Sequence, residues 1–151
     1  MKKLLIILFV GFLTSLIAQN QQSGFIGQWK WVDEDKTEIG TCTFDADGFV
    51  TLYVKKNNVS MGGKEFTYNG SIAKFKNTKA KMTYRIKNII EIIEIDLTIK
   101  TMADEVIQKF LGIAKFDDPN HLKLGINFQK GNRPRHFIIK ENLIRLERIK
   151  Q

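Results

Sequence analysis

Val50, Leu52 and Val54 fall on one side of an extended chain while Thr51 and Tyr53 fall on the other. This two-residue period recurs along most of the sequence and restricts the fold more than any other feature. It belongs to strands that bury one face. No stretch beyond the N-terminal leader carries the apolar stripe of a long amphipathic helix. The expected fold is all-β, an antiparallel up-and-down barrel of about 8–10 strands.

Turn residues divide the alternation into elements. Trp29 to Val32, Glu38 to Phe44 and Phe49 to Lys55 read as strands, the last two joined by Asp45-Ala46-Asp47-Gly48. Asn57-Asn58 and Met61-Gly62-Gly63 mark a longer loop before Glu65 to Tyr68. Asn69-Gly70 predicts a tight hairpin with Ser71 to Lys76 returning as a strand, or else one long strand bulged at the glycine. Lys79 to Ile86 and Ile89 to Ile99 are expected to pair across Lys87-Asn88. That turn sets Lys81 opposite Glu94, Lys79 opposite Asp96, Met82 opposite Ile93 and Ala80 opposite Ile95, one face charged and one apolar. Thr101 to Lys109 loses the alternation and predicts a helical turn or irregular crossing. Phe110 to Phe116, His121 to Phe128 and Asn142 to Ile149 complete a count of ten.

The 151-residue chain begins with Lys2 and Lys3, an apolar run from Leu4 to Leu13, and small or polar residues at Thr14, Ser15 and Ala18. These are the parts of a secretory signal, so residues 1–18 are expected to be removed and residues 19–151 to form one barrel domain. A retained anchor is the other reading, but a bilayer span needs about 20 apolar residues. Export implies a periplasmic, outer-envelope or secreted location. Cys42 is the only cysteine and cannot form an internal disulfide; its place beside Gly40 and Phe44 suits a small buried apolar residue. The 24 Lys and Arg exceed the 16 Asp and Glu, a surplus that survives loss of the leader. It favours anionic partners such as a glycan or a lipid head group, while export argues against nucleic acid. A monomer is expected.

Material for catalysis is thin. His121 and His136 are the only histidines, and no serine or cysteine motif accompanies them. No His-x-x-x-His or Cys-x-x-Cys spacing offers metal ligands, and Asp33-Glu34-Asp35 lacks the spacing of a calcium loop and reads as a solvated turn. Lys79, Lys81, Arg85 and Lys87 form a basic stripe that Glu94 and Asp96 are expected to half neutralise. A non-enzymatic chain without cofactor or metal is expected.

Gly27-Gln28-Trp29 near the start of the mature chain resembles the Gly-x-Trp entry motif of the calycins, the lipocalin and fatty-acid-binding protein group. The early hairpin at Phe44 to Gly48, Gly112-Ile113-Ala114, and Arg133-Pro134-Arg135-His136-Phe137 before the last strand give the wider layout a similar cast. The threonine-aspartate-tyrosine motif of typical lipocalins is not evident. The resemblance implies a barrel closed at one end by Gly27 and Trp29, with an arginine from near the C-terminus lying across the indole. Arg148 is the candidate under an even strand count; nine strands would favour Arg133 or Arg135. Glu91 falls on the face of Ile89, Ile93, Ile95 and Leu97, opposite Tyr84, where a carboxylate needs a partner. It is either part of an internal plug with Trp29, Tyr84 and Arg148 or a ligand-binding acid. The wall expected to meet a small apolar or amphipathic ligand comprises Trp31, Phe44, Leu52, Tyr68, Met82, Tyr84, Glu91 and Ile95. The alternative is a structural or interaction module of the envelope whose barrel is filled by its own side chains.

Overall fold

The computed structural model describes residues 23–89, 92–128, 131–138 and 142–150. Residues 1–18, expected to be a signal, and Glu91 lie outside the described residues. Nine strands follow one another as β1 (Gly27–Val32), β2 (Glu38–Phe44), β3 (Val50–Val54), β4 (Val59–Tyr68), β5 (Thr78–Ile89), β6 (Ile92–Thr101), β7 (Val106–Asp118), β8 (His121–Asn127) and β9 (Leu143–Arg148). Each pairs antiparallel with its successor, and β9 returns to pair antiparallel with β1, so the sheet closes as a barrel. The alternation has its expected result. Trp29, Cys42, Phe44, Val50, Met82, Ile95, Leu97, Leu122 and Leu146 face inward in one apolar cluster.

An odd ring of antiparallel neighbours closes only if one strand reverses its sense, and β4 does so. Phe49 bridges directly to Thr83, so β3 and β5 are antiparallel neighbours at one point and splay apart beyond it. The first arm of β4 approaches that point along β3, from Val59 opposite Val54 to Gly62 opposite Thr51. Its second arm leaves along β5, from Gly63 opposite Met82 to Tyr68 opposite Thr78. The vertex falls on Gly62 and Gly63, with φ of 96° and 78°, where a side chain would be strained. At Gly62 there is also no room, because a Cβ would run into the Val50 carbonyl oxygen. The wall is thus an eight-strand ring with a V-shaped strand set into a fork.

Three expectations need correction. Ser71 to Lys76 is not a strand: Asn77 N–H donates to the Tyr68 carbonyl at 2.9 Å, closing a long loop that contains a short 3-10 turn at Ala73–Phe75. The loop spends Ile72 and Phe75 on the core cluster, which a two-residue hairpin could not do. Thr101 to Lys109 is a tight turn followed by strand. Thr101 N–H donates to the Glu105 carbonyl at 2.8 Å, the Thr101 carbonyl accepts from Asp104 N–H at 3.1 Å, the Thr101 hydroxyl accepts the Glu105 N–H at 3.1 Å, and Asp104 takes the left-handed φ of 66° that the reversal needs. Lys87 and Asn88 belong to β5 rather than to a turn, and the register runs from Ala80 opposite Thr101 to Ile89 opposite Ile92. Lys81 therefore faces Lys100, Met82 faces Ile99 and Tyr84 faces Leu97, so Tyr84 is not opposite Glu91. The pairing moved by an even number of residues, which keeps every side chain on its expected face.

Candidate functional site

The two ends of the barrel differ in kind. At the end reached by the β2–β3 and β7–β8 connections, Trp29 is fully buried and its indole N–H donates to the Phe25 carbonyl at 2.8 Å. Phe25 meets Phe44 and Phe116 edge to face, at 5.6 and 5.0 Å between ring centres. The Arg148 guanidinium lies 4.1 Å from the centre of the Trp29 ring. Its edge donates to the carbonyls of Pro119 at 3.0 Å, Ile26 at 2.9 Å and Gly24. Indole and guanidinium together shut this end. The site falls to Arg148 although the strands number nine, because the reversal in β4 brings β9 back antiparallel to β1, with Arg148 opposite Trp29. Arg133 and Arg135 play no part in it. Gly27, at φ of 132°, lies where a Cβ would press on Arg148 Nη1.

Packing continues inward from this end. Phe44, Met82 and Ile95 expose 0–1% of their surface and belong to the packed core cluster. Tyr84 packs edge to face on Phe44 at 4.9 Å and donates its hydroxyl proton to the Asp45 carbonyl at 2.9 Å. Tyr68, also buried, directs its hydroxyl to Gln108 Oε1 at 3.3 Å. Five of the expected wall residues are therefore core, and Glu91 lies outside the described residues. Trp31 and Leu52 differ: both are half-buried and packed against the cluster.

Register extends the face of Trp31 and Leu52 across the fork. Trp31 lies opposite Gly40, Gly40 opposite Val54 and Val54 opposite Val59, while Leu52 lies opposite Met61. Val59 and Met61 are 44% and 39% exposed. Phe110, on the row of Tyr84 and Leu97, meets Phe128 edge to face at 5.3 Å, and Phe128 is 44% exposed. The end away from Arg148 thus carries apolar side chains that water still reaches. Trp31 and Leu52 are legible in the sequence, but Val59 and Met61 are not, because Met61-Gly62-Gly63 has the chemistry of a loop; Phe110 and Phe128 give no signal beyond alternation.

Among the described residues, two grooves mark the outer wall. One, of about 320 Å³, is lined by four acids, Asp33, Glu34, Asp117 and Glu147, and by three cations, Lys36, Lys123 and Arg145. His121 borders it with Nδ1 2.7 Å from Asp118 Oδ2, at an exposed turn. The other, also about 320 Å³, is lined by Arg85, Lys87, Glu94, Asp96 and Arg133. Partial burial would raise the Asp96 carboxyl, but hydrogen bonds from Lys109 and Arg133 outweigh it and hold the group below its ordinary value. The basic stripe is divided differently from expectation: Lys79 pairs with Glu65 at 2.6 Å and Lys81 with Asp104 at 3.0 Å. Asp33 organises a solvated turn, accepting from Thr37 N–H at 2.8 Å. Among the described residues no group of three or more His, Cys, Asp and Glu is placed to hold a metal ion. Cys42 is buried, and burial pushes its thiol far above the ordinary range.

No family model matches this chain, and no curated protein or solved structure shows a significant match to it.

Proposed function

We propose that this chain is an exported, non-enzymatic, lipocalin-like protein that holds a small apolar or amphipathic molecule in the half of the barrel away from Arg148. The observation that supports the reading is the contrast between the ends. Trp29, Phe44 and Arg148 plug one end, while Trp31, Leu52, Val59 and Met61 leave apolar surface within reach of water at the other. Apolar walls with few polar groups suit a ligand recognised by shape and burial. Gln108, half-buried and held by the Tyr68 hydroxyl, is a polar group that could meet an amphipathic head.

Fluorescence separates the two tryptophans. Titration with fatty acids, retinoids and porphyrins is expected to give a saturable change in Trp29→Phe, which keeps Trp31, and little change in Trp31→Phe. No saturable change with any of these ligands would sink the reading. Export is tested by the mass of the released chain, expected to begin at Gln19.

A second reading, a structural or interaction module with a filled barrel, draws on the 0–1% exposure of Phe44, Met82 and Ile95. It predicts that the titration is flat in both variants.

A further inference from the structure

Alternation places Arg85 and Lys87 of β5, Glu94 and Asp96 of β6 and Lys109 of β7 on the outer face of the wall. The register sets Arg85 opposite Asp96 and Lys87 opposite Glu94, which taken alone would be two neutral cross-strand pairs. Arg133, from the loop between β8 and β9, changes that balance. Its Nε lies 3.3 Å from Glu94 Oε1, its Nη2 2.6 Å from Asp96 Oδ1, and its Nη1 donates to the carbonyls of Gly112 and Ile95. Lys109 Nζ takes the second oxygen of Asp96 at 2.9 Å. Both acids that face Arg85 and Lys87 are thus committed elsewhere.

Among the described residues, Arg85, Lys87 and Arg133 line one groove of about 320 Å³ with Glu94 and Asp96, and Lys109, bound to Asp96 beside it, brings the cations to four against two acids. The two surplus charges belong to the exposed side chains of Arg85 and Lys87. Alternate residues of a strand lie about 7 Å apart, so a guanidinium and an ammonium on long stems can converge on one group between them. A carboxylate would answer only one of the two charges. A phosphoryl dianion answers both, and its several oxygens suit a forked donor beside a point charge. The other groove, where four acids line the wall with three cations, offers no such surplus.

The geometry points to a binding site for a phosphate monoester on the outer wall, with Arg85 and Lys87 as its ligands and Arg133 as the residue that keeps Glu94 and Asp96 from neutralising them. The site is separate from the barrel interior and does not depend on any molecule held there. Its phosphoryl group could belong to a soluble phosphate ester or to a lipid head group.

Calorimetric titration of the intact protein at low salt tests the site. Inorganic phosphate is expected to bind saturably with one equivalent. Arg85→Gln with Lys87→Gln is expected to weaken binding at least tenfold, each single change severalfold, and Lys55→Gln outside the groove not at all. Matched thermal melts show whether each variant is folded, and the exposed single variants keep the test open if the double variant is not. Sedimentation with phosphatidate vesicles, against neutral vesicles and with phosphate as competitor, separates a lipid source from a soluble one. Absence of saturation up to about 10 mM phosphate, an affinity too weak to matter, would overturn the proposal. Equal weakening by Lys55→Gln would overturn it too, by showing a diffuse charge effect.

Discussion

Arg148 and Trp29 are directly opposite on β9 and β1, and the guanidinium lies 4.1 Å over the indole ring. Two interactions meet there: a cation on an aromatic face, and three donors spent on backbone carbonyls of the lead-in and the β7–β8 turn. Arg148→Ala removes both and is expected to lower stability by about 1–3 kcal/mol in urea unfolding. Arg148→Lys is expected to recover only part of the loss, since an ammonium has no fork and no flat face. Equal stability of Arg148→Ala and the parent chain would refute this role.

The vertex of β4 makes a sharper test. At Gly62 both the positive φ and the Val50 carbonyl oppose a side chain. Gly62→Ala is expected to cost about 1–3 kcal/mol from backbone strain alone, with steric cost added. Gly131→Ala serves as the control, because a Cβ there has nothing within 4 Å, and its unfolding midpoint is expected to stay put.

Cys42 is 1% exposed and its thiol is held protonated by burial. A thiol-reactive dye is expected to leave the folded protein unlabelled and to label it stoichiometrically in denaturant. Rapid labelling of the native chain would show that the interior opens far more readily than the packing around Cys42 implies.

Acid should act through Asp96. Its folded-state carboxyl lies below the ordinary value, so its contribution to stability is complete above about pH 4 and is lost as pH falls through the lower folded value. Arg133→Gln removes one of the two cations responsible and is expected to move that loss toward higher pH. Urea midpoints measured from about pH 5 to 2 would show the displacement, and superimposable curves would argue against it.

Faces were easier to read from the sequence than neighbours. Met82 and Ile95 were placed inward correctly because a period of two survives any even shift of register. Their actual partners, Ile99 and Ile86, depend on where the chain turns, and alternation contains nothing about that. Asn69-Gly70 resembled a hairpin because its local preferences fit one; the loop instead carries Ile72 and Phe75 to the core, a tertiary gain invisible in a dipeptide. Gly62-Gly63 looked like a loop for a sound reason, its need for positive φ, but the need arises inside a strand. Arg148 was legible at the closed end because motif and alternation point to the same residue. The outer groove was not, because Arg133 reaches Asp96 from a distant loop.

The pairing of β1 with β9 joins residues from the two ends of the described chain. Contacts that span so much sequence form late and make folding slow. A chain still emerging from its ribosome lacks the strand that completes the ring, and β1 and β8 stay as open edges able to pair with anything extended. Removing Leu143 to Arg148 would therefore do more than shorten the protein. It would leave a curled sheet with two adhesive margins, and the expected product is an aggregate.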